Sequence, residues 1–461
     1  MSAVTGFLSA LFWGVLVLSV LVFVHEGGHY LAARAFRVRA TEFFLGLPCR
    51  LRLSVKSRSV GTEFGVTPVL LGGYTRICGM EGAGDELLAP ALAIVTRRGR
   101  VKASEVADEL GVDVDRAYDL LATLSDWASI RPYYDPELGE RPGQANWPAA
   151  FETPARDANN LTEYDRGHDF STPGSTEAGA PHDTGVCPEL FLEQERSRTY
   201  LGASPLKRIC MLVAGPLVNI VLAFVIVTCS FMAQEYRYVP DVSTIGAVEE
   251  GSPAEAAGLA EGDVIVAVGD EEVSTWTGLV DALAPYLESG TDFELTYQRD
   301  GQDRTVLLDL PDGEPSEDIG IRSTVATFHL TPAQAARATL NYTGQVASYV
   351  AQLLNPSHTM EILDQSSSIV GISAMASEAA STGLSDLLLF AAAISMSLGF
   401  MNLIPLPPFD GGKVLIELVQ LVIRRPLTPR VQNGLSYVGL GFMIFVFVVV
   451  LKNDIIRFVI G

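Results

Sequence analysis

Two histidines four residues apart flank a glutamate in Val24-His25-Glu26-Gly27-Gly28-His29. On a helix these positions share a face, so His25 and His29 can grip one zinc ion while Glu26 between them handles protons. This is the chemistry of metal-assisted hydrolysis. Residues 1–24 hold no charged side chain, and Leu8 to Val24 with its continuation is long enough to cross a bilayer. The spacing therefore predicts a site inside, or at the edge of, a membrane.

A catalytic zinc usually takes about three protein ligands and keeps the fourth position for water. The third ligand must be a carboxylate or histidine at the same depth. The chain offers Asp410, in Asn402-Leu403-Ile404-Pro405-Leu406-Pro407-Pro408-Phe409-Asp410-Gly411-Gly412. An aspartate in an apolar, proline-broken segment is costly unless something binds it, and coordination removes that cost. Alternatively Asp410 is a loop cap, with Gly411 supplying the turn. Asn402 is placed to hydrogen-bond an unpaired substrate backbone or a reaction intermediate.

The elements that must position these side chains follow from length and charge. The 461 residues allow three or four units, and a mean hydropathy of +0.27 beside a net charge of −22 requires apolar and charged residues to be segregated. Four apolar stretches meet the length of a span: roughly Gly6 to Leu31, interrupted by the histidine motif, Ile209 to Met232, Leu387 to Phe409, and Val431 to Leu451. They predict transmembrane helices over 1–36, 205–235, 385–412 and 431–452. No Lys or Arg precedes the first stretch and no small-residue cleavage site follows it, so it reads as a retained span.

Arg34, Arg37 and Arg39 follow the first span, Lys207 and Arg208 precede the second, and Lys413, Arg424, Arg425 and Arg430 lie between the third and fourth. By the positive-inside rule the N-terminus is outside, 34–208 is cytoplasmic and 233–386 is extracytoplasmic. Lys452 and Arg457 weakly oppose this. Spans one and three then run the same way, which brings His25, His29 and Asp410 to one leaflet. The five cysteines show no paired spacing and read as ordinary thiols.

Residues 37–80 alternate apolar and polar side chains between glycine and proline breaks, as strands do. We read a small membrane-associated β-sheet against the active-site face, whose edges could hold a locally unwound substrate; the alternative is a hairpin with no role. Gly72 and Gly73 would let a strand approach another backbone closely. Residues 86–135 read as helix, glycine turn and second helix. Residues 136–200 read as a flexible linker in which His168 and His182 are solvated. Residues 331–380 read as amphipathic helices on the outer membrane surface.

Ala103 to Leu124 resembles the winged-helix group. The would-be recognition helix carries Asp113, Asp115 and Asp119 against Arg116, which phosphate would repel, so no nucleic acid is expected and residues 86–135 are assigned a cytoplasmic protein partner. Gly251-Ser252-Pro253-Ala254-Glu255-Ala256-Ala257-Gly258-Leu259 with Gly262-Asp263-Val264-Ile265 is similar to a bacterial PDZ domain, placed at 241–325. That resemblance implies an extracytoplasmic α+β domain with a peptide-binding edge near Ile319-Gly320-Ile321-Arg322; the alternative is a steric plug.

The histidine motif, Gly72-Gly73-Tyr74, Ala214-Gly215-Pro216-Leu217-Val218-Asn219, one PDZ-like domain and Asn402 to Gly412 together resemble the bacterial site-2 protease family of intramembrane zinc metalloproteases. The resemblance implies a polytopic α-helical protein of the bacterial inner membrane. It also implies one Zn2+ at His25, His29 and Asp410, a catalytic Glu26, and a substrate contact at Asn402. The substrates would be single-span, membrane-anchored regulators, often anti-sigma factors, cut after a first cleavage has trimmed their outer part. A catalytically inactive membrane scaffold or receptor is the alternative. Two departures stand out. Gly27-Gly28 is smaller than the pair common in the family, and at about 1 kcal/mol per glycine relative to alanine close packing must offset it. The winged-helix-like insertion lies outside the family core.

Overall fold

The structure, a computed structural model, describes residues 2–80, 84–144, 146–310, 315–355, 357–425 and 427–456. It divides into two units, Met1–Val227 with Ala338–Gly461, and Thr228–Arg337. Among the described residues four helices are long and apolar enough to cross a membrane. Arg457 lies outside the described residues.

In the first unit, α1 (Ser2–Ala35) is one continuous helix through the histidine motif. At about 1.5 Å per residue it outruns ~30 Å of hydrocarbon. Four strands follow: β1 (Ala40–Leu45), β2 (Leu53–Lys56), β3 (Glu63–Val66) and β4 (Gly73–Ile77), in the order β2-β3-β1-β4 with β1 and β3 parallel. The sheet lies on the second half of α1. Phe43 of β1 stacks with Phe23 and Tyr30, at ring separations of 4.5 and 5.2 Å. A Cβ on Gly73 would stand 2.9 Å from the Phe44 carbonyl and 3.4 Å from Phe23 Cα, so this glycine lets β4 come close to the helix.

The next elements are α2 (Leu88–Arg98), β5 (Arg100–Lys102), α3 (Ala103–Leu110), α4 (Val114–Asp126), β6 (Arg131–Tyr133), β7 (Ala150–Glu152) and α5 (Pro188–Ser197). Gly111 ends α3 with φ +69°, the left-handed conformation that glycine adopts without strain. Strand β7 pairs with both β5 and β6, and Phe151 and Phe191 are buried in the same core as Val106, Leu121 and Trp127. The segment 136–200 is therefore not a flexible linker, and the core cannot close at residue 135. His182 is not solvated either: it is buried, with Nδ1 at 2.9 Å from Thr176 Oγ1 and Nε2 at 2.7 Å from Asn160 Oδ1. His168 is half-buried, its Nδ1 2.8 Å from the Asp165 carbonyl.

The cause is a buried charge network. Arg39, fully buried just after α1, donates to Asp165 at 2.9 and 2.7 Å and to Glu195 at 2.7 Å, and Arg156 donates to Glu195 at 3.0 Å. Burial pushes the Glu195 carboxyl up, but Arg156 and Arg39 outweigh it and hold it well below the usual carboxylate range. Burial likewise raises Asp165, and Arg39 more than reverses it. These carboxyls have depressed folded values, so their stabilisation is full above roughly pH 5 and is lost as pH falls toward those values. Arg39→Met would leave Asp165 and Glu195 undercompensated in the interior, at a cost of about 3–5 kcal/mol. The expected result is early proteolytic cutting within 84–200, measured by timed proteolysis; a wild-type digestion rate would refute the role of the network.

Helix α6 (Pro205–Ala233) completes this half of the unit. The second unit holds β8 (Glu235–Tyr238), β9 (Ile245–Val248), α7 (Pro253–Ala256), β10 (Val264–Val268), β11 (Glu271–Glu272), α8 (Trp276–Ser289), β12 (Phe293–Arg299), β13 (Gln302–Leu308), β14 (Ile321–Ser323) and β15 (Ala326–His329). Its sheets β11-β10-β12-β13 and β14-β9 enclose a core that includes Ile245, Leu279, Leu295 and Ile321, and β15 pairs with β8.

The remaining helices are α9 (Pro332–Gln352), α10 (Thr359–Gln365), α11 (Ile369–Thr382), α12 (Leu384–Asn402), α13 (Asp410–Ile423) and α14 (Pro429–Ile455). Helix α11 departs from the surface location read from sequence. It runs beside the first half of α1, with Ser377 Oγ 2.7 Å from Ser9 Oγ, Ser373 against Gly14, and Ala376 clustered with Val17 and Leu21. Small residues on both helices permit that approach. Its N-terminus is held by Asp454 of α14, whose Oδ2 accepts from the Ser368 and Gly371 N–H groups at 2.6 and 3.0 Å.

Candidate active site

Helix α6 is the element on which the two halves of the site converge. A Cβ on Gly28 would stand 2.5 Å from the Ala214 carbonyl oxygen and 2.9 Å from Gly215 Cα, so α1 and α6 touch backbone to backbone. On α12, a Cβ at Gly399 would stand 2.9 Å from the Pro216 carbonyl, and Ser395 Oγ donates to the Asn219 carbonyl at 3.0 Å. Close packing thus accounts for Gly28. It does not account for Gly27, where a Cβ would meet only Phe43 at 3.7 Å.

Below α12 the chain turns through residues 403–409 and restarts as α13 at Asp410. The helix stops at Asn402 because the prolines at 405, 407 and 408 cannot continue it. Gly411 and Gly412 are buried under the turn, where a Cβ would collide with Leu403 and with Pro407. This fold-back carries the Asp410 carboxylate to the histidine face of α1.

Asp410 Oδ2 lies 3.1 Å from His25 Nε2 and 3.1 Å from His29 Nε2, and the two Nε2 atoms are 3.2 Å apart. Ligands on a tetrahedral zinc with bonds of about 2.0–2.2 Å stand roughly 3.3–3.6 Å from one another, so the near-equilateral triangle fits one ion. Both histidines are buried. His29 Nδ1 is 2.8 Å from the Met211 carbonyl, a contact that places the proton on Nδ1 and leaves Nε2 free as a ligand. His25 Nδ1 is buried without a partner among the described residues. Among the described residues this is the one group of metal-capable side chains.

A cavity opens beside the triangle. Glu26, His29 and Asp410 share it with Tyr74 and Thr75 of β4 and with Lys413 of α13. Thr75 Oγ1 donates to the Glu26 backbone carbonyl at 3.1 Å, which ties β4 to the motif. The strand is unpaired on its outer edge among the described residues, and its Tyr74, Thr75 and Ile77 line the cavity. Lys413 Nζ lies 3.9 Å from Asp410 Oδ1.

Of the residues singled out from sequence, His25, Glu26, His29 and Asp410 come together. Asn402 does not line this cavity; its Nδ2 donates back to the Leu398 carbonyl at 2.9 Å. Gly72 and Gly73 lie at the start of the strand that lines the cavity. Ile319, Gly320 and Ile321 belong to the second unit.

Sequence reasoning missed Tyr200, which lines the cavity and donates to Glu417 Oε1 at 3.2 Å, while Arg208 of α6 reaches the same oxygen at 3.2 Å. This cluster ties α13, and so Asp410, to α6. It missed Gly215 as well, where any side chain would collide with the His29 ring. The Met211 contact uses a backbone carbonyl and has no residue-type signal. For Gly215 the available signal is a glycine within an apolar span, where small residues permit close helix approach.

Residues 13–446 match peptidase family M50. The chain belongs to that family. The M50 chain is 28% identical over 452 residues to the zinc metalloprotease RasP of Shouchella clausii, covering 96% of this chain and 97% of the relative. It is 25% identical over 458 residues to the RasP of Geobacillus kaustophilus, with 96% and 97% covered. It is 24% identical over 450 residues to the regulator of sigma-W protease RasP of Bacillus subtilis, again with 96% and 97% covered. The M50 chain is accordingly a membrane protein and a zinc-dependent intramembrane endopeptidase of the site-2 type.

Proposed function

We propose that His25, His29 and Asp410 hold the zinc ion, that Glu26 is the general base and acid, and that the enzyme cuts within or near the transmembrane helix of single-span, membrane-anchored regulators such as anti-sigma factors. The observation that carries this is the triangle of ligand atoms at 3.1, 3.1 and 3.2 Å beside a cavity that Glu26 shares. Zinc, when bound, polarises the scissile carbonyl and acidifies water.

The protein's own groups do the rest. Glu26 takes a proton from the attacking water and delivers it to the leaving amine nitrogen. The Met211 carbonyl keeps the His29 ring in its ligating tautomer. A substrate helix has no free carbonyl, so it must unwind, and the open edge of β4 offers N–H and C=O groups to hold it extended. Asn402 contacts substrate if its bond to Leu398 is exchanged for one to an unpaired backbone group. Kinship with a protease named for regulation of sigma-W supports the class of substrate.

The second unit is read as PDZ-like and extracytoplasmic, with its peptide edge at Ile319, Gly320 and Ile321. The 34–208 region is read as cytoplasmic, with a winged-helix-like body, and as the contact for a cytoplasmic protein. The helix order α2, α3, α4 with β5 between the first two and β6 and β7 after the third supports that reading. Exposed Asp115 and Asp119 on α4, with Asp113 at its N-cap, argue for a protein rather than a nucleic-acid partner.

His25→Ala and Asp410→Ala are each expected to lose bound zinc, read by metal analysis of the purified protein. Retention of one zinc per chain by either variant would remove that residue from the ligand set. Substrates are found as membrane proteins that accumulate uncut in cells carrying Glu26→Gln.

A further inference from the structure

Within the second unit, α8 and the start of β14 wall a cleft of about 170 Å³. Trp276, Leu279, Val280 and Leu283 line its apolar side, and Glu317, Asp318 and Arg322 line one end. Among the described residues β14 pairs with β9 alone. The Glu249 N–H donates to the Gly320 carbonyl at 2.8 Å. Successive residues of an antiparallel pair turn their polar groups to opposite sides, so the Ile321 N–H and C=O point off β9 toward the open edge. An extended peptide could add there as a strand.

The end of the cleft decides which peptide. A peptide C-terminus is captured by consecutive backbone N–H groups at the start of such a strand. Here the Gly320 N–H already donates to Asp318 Oδ1 at 2.9 Å. Arg322, the cation at this end, is itself held by Asp318 at 3.2 Å and by Glu249. Glu249, Glu317 and Asp318 together outnumber that guanidinium, and the last two line the cleft. An incoming carboxylate would meet an occupied donor and like charges.

We propose that this cleft takes an internal, extended peptide segment carrying a lysine or arginine opposite Glu317 and Asp318, and that it refuses a free C-terminal carboxylate. The proposal rests on reading the second unit as a PDZ-like peptide-binding module. It assigns the module to basic stretches within partner chains rather than to their ends.

The test uses the full-length protein in detergent micelles and short randomised peptides, one pool amidated and one with free C-termini. The expected result is enrichment of Lys or Arg at one position of the amidated pool, with matched free acids binding about tenfold more weakly. A double variant, Glu317→Gln with Asp318→Asn, should erase the Lys or Arg preference, weaken the discrimination against free acids and leave apolar selection intact. Preferential recovery of free acids, selection of Asp or Glu, or apolar selection without any charge preference overturns the proposal. Val280→Lys, on the exposed lip of α8, separates the two levels. If wild type selects nothing beyond this variant, the peptide-groove reading fails as well.

Discussion

Glu26→Gln is expected to keep its zinc and to lower cleavage of a co-expressed single-span substrate by roughly 100- to 10,000-fold, the range that a positioned general base contributes. The amide matches the carboxylate in size and can still accept from neighbours, but it cannot take the proton of the attacking water. Glu26 projects into the cavity while His25 and His29, one position before and three after it, point at Asp410. The substitution should therefore leave the ligand triangle intact. Metal analysis and an anti-tag blot of the substrate, run in parallel, read the two parts separately. Cleavage at the wild-type rate would falsify the role of Glu26, and loss of zinc would make it a ligand instead.

The second large effect comes from the two glycines between the histidines, which the structure makes unequal. Gly28→Ala would put a methyl 2.5 Å from the Ala214 carbonyl oxygen. Backbone cannot give way as a side chain can, so α1 and α6 must separate. Overpacking of this kind costs about 1–3 kcal/mol in stability. The larger consequence is geometric, because His29 is held by Met211 on the same stretch of α6, and a displacement near 1 Å costs on the order of 100-fold in rate. Gly27→Ala meets only Phe43 at 3.7 Å. It should be active and more stable by roughly 0.5–1 kcal/mol, since alanine loses less chain entropy in a helix. Thermal melts and substrate cleavage of the two variants test the contrast. Equal behaviour would mean that the α1–α6 contact does not set the site.

How much was legible follows from what each residue depends on. Four apolar segments and the basic residues that flank them are visible because hydrophobic length and charge are local properties. The histidine face is visible because helical periodicity alone brings His25 and His29 together. Asp410 could be paired with them across nearly the whole chain because a carboxylate in an apolar, proline-broken segment requires a partner.

The misreadings all involve partners distant in sequence. Residues 136–200 look like a linker because their composition is that of loops. Asp165, Arg156 and Glu195 become core only when Arg39 arrives from the end of α1. Helix α11 looks interfacial because its serines and alanines are weakly hydrophobic, yet these small side chains are what let it approach α1.

By itself, then, the sequence indicated the number of apolar helices, the histidine face of the first and Asp410 as the candidate to complete it, since each rests on periodicity or on the cost of a lone charge in an apolar segment. Only the tertiary structure decided that Gly28 and Gly215 are the contact that seats His29, that Tyr200 and Glu417 brace the helix carrying Asp410, and that the insertion shares a buried charge network with the end of α1. Those depend on distances between backbones far apart in the chain, which no residue type encodes until the chain has folded.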